Sequence, residues 1–98
     1  MKSDVLRIKR AGSFDLRLKQ LIAKNPEILL LINQKIDLFQ KNPSDSRLGN
    51  HALKRRMKGK FAFSITNDIR IVYKSIGRNM VRFLAIGGHS KVYGRINK

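Results

Sequence analysis

The stretch FAFSITNDIRIVYKSIGRNMVRFLAI, residues 61–86, decides the fold. Phe61, Phe63 and Ile65 alternate with Ala62, Ser64 and Thr66, a period of two that sends successive side chains to opposite faces of a strand. TND supplies a turn, after which Ile69, Ile71 and Tyr73 alternate with Arg70, Val72 and Lys74. SIGRN supplies a second turn and MVRFLAI a third strand. Connections this short join neighbouring strands, so the stretch predicts a three-stranded antiparallel meander. Phe61, Phe63, Ile65, Ile69, Ile71 and Tyr73 form the face to be covered. Ser64 and Arg70 point to the other face, expected to be small and basic rather than apolar, and a ligand is expected there.

Upstream, DVLRIK alternates Leu6 and Ile8 against Val5, Arg7 and Lys9, which predicts a short strand joining the meander. AGS breaks that pattern. From Ser13, the apolar residues Phe14, Leu18, Leu21 and Ile22 recur at helical spacing, with Ser13 as the expected cap and Asp15 in the first turn. NPE restarts the chain, with Asn25 as cap, Pro26 at the first helical position and Glu27 complementing the helix dipole. Leu29, Ile32, Ile36 and Phe39 continue an apolar stripe up to KNPSD. Two helices joined this closely predict an αα-hairpin over one face of the sheet. The fold class is therefore α+β, a β-α-α-β-β-β domain spanning residues 1–98. Residues 43–59 show no period, and a loop of that length tends to be functional or to hide a helical turn.

The charge is unevenly distributed. Formal net charge is +16 over 98 residues. From Asp45 onward there are 13 Lys and Arg against two acids, whereas residues 1–44 carry 9 against 4. Such a field attracts polyanions by counterion release, and nucleic acid is the leading partner. There is no cysteine, which removes disulfide and thiolate chemistry. The longest aliphatic run, ILLLI, is too short to cross a bilayer, and the first ten residues hold no apolar signal core. A cytoplasmic location is expected, without a membrane partner.

Few residues can carry chemistry. In FLAIGGHSKVYGR, residues 83–95, His89 follows two glycines at a strand end. Beside a phosphate, its neutral imidazole is a base and its imidazolium an acid. Tyr93 shares its face if HSKVYGR winds into a helical turn; otherwise it packs. His51 precedes the cluster Lys54, Arg55, Arg56 and Lys58, and is a second acid/base group or a locally bonded loop residue. Arg70 can clamp a phosphate, or simply be solvated or paired with Asp68. Asp68 itself is expected to bond the backbone of its TND turn. Lys54, Arg55, Arg56, Lys58 and Lys60 read as a run tracking a nucleic-acid backbone, and Lys74 is grouped with them. No phosphate-binding glycine loop, nucleophile motif, metal cluster or cofactor motif stands in the sequence.

The segment NHALKRRMKGKFAFSITNDIRIVYKSIGRNMVRFLAIGGHSKVY resembles the RelE/ParE toxin superfamily, in its RelE branch of type II toxin–antitoxin systems. The likeness rests on an H-x-L-K-G-x-x-K-G-x-x-x-F-x-I segment, a D-x-R-I-V-Y strand and a terminal I-G-x-H-x-x-V-Y. It implies a metal-independent endoribonuclease, an mRNA interferase that cuts mRNA in the ribosomal A site and is silenced by an acidic antitoxin. By motif, His51, Asp68, His89 and Tyr93 match positions used by the histidine-rich, YafQ-like toxins. Arg70 matches a strand arginine of other RelE-like members, and Lys54 and Lys58 match basic loop positions. This sequence has Ser64 where that subgroup has another histidine, Ile69 where it has an aromatic, and Arg55 where the glycine after LK is usual. A ParE-like gyrase inhibitor acting by binding, and a non-catalytic RNA-binding module, are the alternatives.

Overall fold

The computed structural model describes residues 5–88. Five strands form one sheet: β1 (Arg7–Arg10), β2 (His51–Ala52), β3 (Phe61–Ser64), β4 (Ile69–Gly77) and β5 (Met80–Gly88). Their spatial order is β1-β5-β4-β3-β2, with β1 parallel to β5 and all other neighbours antiparallel. The meander and the joining first strand stand as the alternation predicts. The two-residue β2 lies inside the segment without a period, because a pair of residues is too short to show alternation.

Helices α1 (Gly12–Lys24) and α2 (Ile28–Lys41) pack on one face. Their starts differ from expectation. Ala11, not Ser13, precedes the first turn of α1; the Ser13 hydroxyl instead donates to the Leu84 carbonyl at 2.9 Å. Leu84 is the extra residue where Val72 pairs with Ala85 and Tyr73 with Phe83, so the bond ties the helix to a β-bulge. Asn25 closes α1, its backbone N–H donating to Leu21, rather than capping α2. Because α2 begins at Ile28, Ile28, Ile32 and Phe39 face inward and Leu29 is exposed.

Phe14 and Phe39 from the helices meet Phe63 and Phe83 from the sheet, all four fully buried. Phe39 stacks on Phe63 at 4.3 Å between ring centres and meets Tyr73 edge-on at 4.9 Å. Truncating one such ring costs about 3–5 kcal/mol. Phe61, Phe63, Ile65, Ile69, Ile71 and Tyr73 all belong to this core, as their alternation requires.

The opposite face corrects one expectation. It is not only small and basic. Ala62, Val72 and Ala85 lie in register across β3, β4 and β5, and buried Met57 covers them with Leu53 and Leu84 alongside. Met57 comes from a 3-10 turn, Arg55–Met57. The charged loop is therefore seated by an apolar plug, and the ligand-accessible part of this face lies around that plug.

Candidate functional site

The segment after α2 is a series of tight turns. Asp45 accepts hydrogen bonds from the Arg47 backbone N–H and guanidinium at 2.8–2.9 Å, which lowers its carboxyl to about 2. Buried Leu48 anchors the 3-10 turn Ser46–Leu48. Gly49 then takes φ +57°, a left-handed conformation natural to glycine. Asn50 donates from Nδ2 to the Pro43 carbonyl at 3.1 Å and accepts the Tyr73 hydroxyl at Oδ1, at 2.9 Å. Burial raises the Tyr73 phenol above its usual range, while the bond to Asn50 opposes the rise. A core ring thereby fixes the backbone next to His51.

His51 is exposed, and its Nδ1 lies 2.9 Å from the Gly49 carbonyl oxygen. A carbonyl only accepts, so Nδ1 carries the proton and, in the neutral ring, Nε2 keeps its lone pair. That is the state a general base requires.

Register places His51 and Arg70 on the same face. His51 pairs with Ala62, Ser64 lies two residues further along β3, about 7 Å on, and Ser64 pairs with Arg70. Arg70 Nη1 donates to Ser64 Oγ at 2.7 Å, and Nη2 to the Asn67 carbonyl at 3.3 Å. Arg70 Nε is buried without a hydrogen-bond partner. Arg70 is thus half-buried and held on its strand. Gly49 faces the same group, since a Cβ built there would sit 3.7 Å from Ser64 Oγ.

Asp68 enters its turn through its backbone N–H. Thr66 Oγ1 accepts the backbone N–H groups of Asp68 and Ile69, at 3.1 and 2.9 Å, and so closes the TND turn. The Asp68 carboxylate stands beside Gly88, where an added Cβ would lie 3.1 Å from Oδ2. With Arg17, Gln20 and Lys24 it also borders a cavity of about 590 Å³ between α1 and the end of β5.

Lys54, Arg55, Arg56 and Lys58 are exposed on the turn held by Met57, and Lys60 follows, half-buried. Arg55 takes φ +59°, the conformation a glycine would adopt without strain. Lys74 is separate: it lies on β4, four residues and about 13 Å from Arg70. His89 and Tyr93 lie outside the described residues. Among the described residues, no three His, Asp or Glu side chains gather as a metal site would require.

The structure thus sets His51, Ser64 and Arg70 on one face of the sheet, whereas the Asp68 carboxylate lies beside Gly88 and the cavity under α1, on the other side. Sequence reasoning passed over Asn50, Gly49 and Thr66. Of these, only Gly49, a glycine two residues before a histidine, left a trace of its backbone role.

The profile described as the bacterial toxin of type II toxin–antitoxin system, YafQ, matches residues 6–94. The chain belongs to the YafQ toxin family. Among solved structures, YafQ from E. coli strain BL21(DE3) superposes with a TM-score of 0.76 at 22% identity, over 91% of this chain and 99% of that one. The YafQ fold also matches in the E. coli DinJ–YafQ toxin–antitoxin complex, with a TM-score of 0.74, 21% identity and coverage of 91% and 98%. A YoeB/ParE toxin from Agrobacterium tumefaciens gives 0.73 at 19% identity, over 86% and 99%. No curated protein matches the sequence. The protein is a type II toxin with the YafQ fold, and no helix among the described residues is long and apolar enough to cross a membrane.

Proposed function

We propose that this toxin is a cytoplasmic endoribonuclease that cuts mRNA in the ribosomal A site, using protein groups alone. The observation that carries the reading is His51, exposed and fixed through Nδ1, on the same sheet face as Arg70. His51 Nε2 takes the proton of a ribose 2′-OH. The 2′-oxygen attacks the adjacent phosphorus and the bond to the 5′-oxygen breaks, leaving a cyclic phosphate and a 5′-hydroxyl. Arg70, with Lys54 and Lys58, stabilises the charge on the nonbridging oxygens. By motif, His89 returns a proton to the leaving oxygen and Tyr93 stacks on or orients a base.

A positioned base contributes about 10²–10⁴-fold. The remainder falls to alignment of the substrate, which suits mRNA held by the ribosome. An acidic antitoxin is the expected inhibitor, given the charge of +16 and the family's toxin–antitoxin character.

The test is to map mRNA 5′ ends after expression of the toxin, and in purified translation reactions with and without ribosomes. Codon-phased cuts that need ribosomes, and disappear with His89→Ala while antitoxin affinity is kept, are the expected result. DNA damage without RNA cuts would instead mark a gyrase inhibitor, and neither effect a non-catalytic module.

A further inference from the structure

The open face of the sheet carries a second cationic feature, away from His51 and Arg70. Lys9 of β1 pairs with Arg82 of β5, and Arg82 pairs with Lys74 of β4. Residues directly opposite in a sheet project to the same side. Tyr73 and Phe83, the chain neighbours of Lys74 and Arg82, are buried under the helices, so all three cations stand on the opposite, open face. All three are exposed, and no ion pair or hydrogen bond joins their side chains to another described residue. Strands β1, β4 and β5 contain no acid. Strand spacing of about 4.8 Å makes the row about 10 Å long.

Like charges placed directly opposite across strands repel and destabilise a sheet. Two such pairs in one row carry a folding cost that no described acid relieves. A single small anion would not engage a row of that length, whereas a chain of phosphates would.

We infer that Lys9, Arg82 and Lys74 form a backbone-binding rail for single-stranded RNA, on the same face as the cleavage group and separated from it by the Met57 plug. The choice of RNA over an acidic protein rests on the proposed function, because the rail shares the face of His51 and Arg70. The rail lies about 13 Å from Arg70 along β4, so RNA gripped there runs from it towards the scissile phosphate.

The experiment measures binding of a labelled oligouridine of about 8 nucleotides to the whole toxin across a salt series. It compares wild type, the triple variant Lys9→Gln, Lys74→Gln, Arg82→Gln, and a control triple, Lys19→Gln, Lys24→Gln, Lys35→Gln, whose residues lie on the helices. Single-stranded RNA loses a slope of about 0.7 in log K against log salt per phosphate contact. The rail variant should therefore lose about 2 in slope, and the control far less. Its melting temperature should equal or exceed that of wild type, since repulsion is removed. The single variant Lys74→Gln should lose about a third of the effect and guards against misfolding of the triple. Equal losses in the two triples would reduce the rail to net charge and overturn the assignment. So would RNA binding left intact while affinity for an acidic antitoxin falls. The readout is binding, so a toxin that proves unable to cut mRNA leaves the rail standing or falling on its own data.

Discussion

Arg55→Gly should make this toxin more stable while stripping it of a surface cation. Arg55 holds φ +59°. It cannot relax, because the turn around it is closed by backbone bonds from Met57 to Lys54, Lys58 to Arg55 and Lys60 to Met57, at 3.0–3.1 Å. Leu53 donates to Lys60 across the base of the turn at 2.9 Å, and Met57 is buried beneath it. A left-handed conformation costs an L-residue with a Cβ about 1–2 kcal/mol. Glycine removes that cost but gives back about 0.5–1 kcal/mol through its freer unfolded chain. Arg55 is exposed, so little packing is lost, and the net gain is about 0.5–1 kcal/mol. For a chain of this size, that raises the melting temperature by about 2–8 °C. Arg55→Ala is the comparison, because alanine loses the same guanidinium and keeps the strain. Thermal and urea unfolding of both variants decide the matter. If Arg55→Gly is no more stable than Arg55→Ala, the conformational reasoning is wrong. RNA affinity should fall equally in both, since both lose the same charge.

Replacing His51 by Ala should lower ribosome-dependent cleavage by about 10²–10⁴-fold, with thermal stability and antitoxin binding close to wild type; cleavage at the wild-type rate would remove His51 as the base. Ser64→Ala removes the neutral acceptor of Arg70 Nη1 and should lower kcat more than it raises KM, because Arg70 then loses its fixed direction; an unchanged kcat in single-turnover cleavage would refute that positioning role. Tyr73→Phe leaves Asn50 Oδ1 without its donor and should cost about 1 kcal/mol at neutral pH by urea unfolding. The folded-state phenol is raised above its usual value of 10.0 by burial, so its share of stability is present below pH 10 and lost as pH rises through the raised value. The Phe variant should accordingly show a shallower alkaline loss than wild type.

Residues 61–86 were legible because alternation is a strong signal when one face is fully covered. Phe61, Phe63, Ile71 and Tyr73 could point only one way, and Ser64 and Arg70 followed. The opposite face was misread because Ala62 and Ala85 look neutral in a pattern, and Met57, which covers them, lies in a loop without a period. Helix starts failed for a related reason. Ser13 and Asn25 are good caps by residue type, but the bulge at Leu84 offered the Ser13 hydroxyl a carbonyl, and Asn25 already closed α1. At the site, residue type and strand register brought Arg70 forward, and residue type, the neighbouring basic cluster and the motif brought His51. The support beneath them was hidden, since the bond from Tyr73 to Asn50 joins residues 23 apart in sequence.

That support bears on what the site can do to a phosphate. Arg70 is held by a serine hydroxyl and a backbone carbonyl, and His51 by another carbonyl. All three acceptors are uncharged. A carboxylate in the same places would hold the side chains as firmly but would neutralise the guanidinium and repel an incoming phosphodiester. The three ion pairs among the described residues lie elsewhere, at Arg10–Asp15, Lys41–Asp37 and Arg47–Asp45. Around His51 and Arg70 the fold therefore divides the work, with neutral oxygens holding the cations there and the carboxylates of Asp15, Asp37 and Asp45 pairing elsewhere. The positive potential of the open face is preserved by that division, and a polyanionic substrate meets side chains whose charge has not been cancelled in advance.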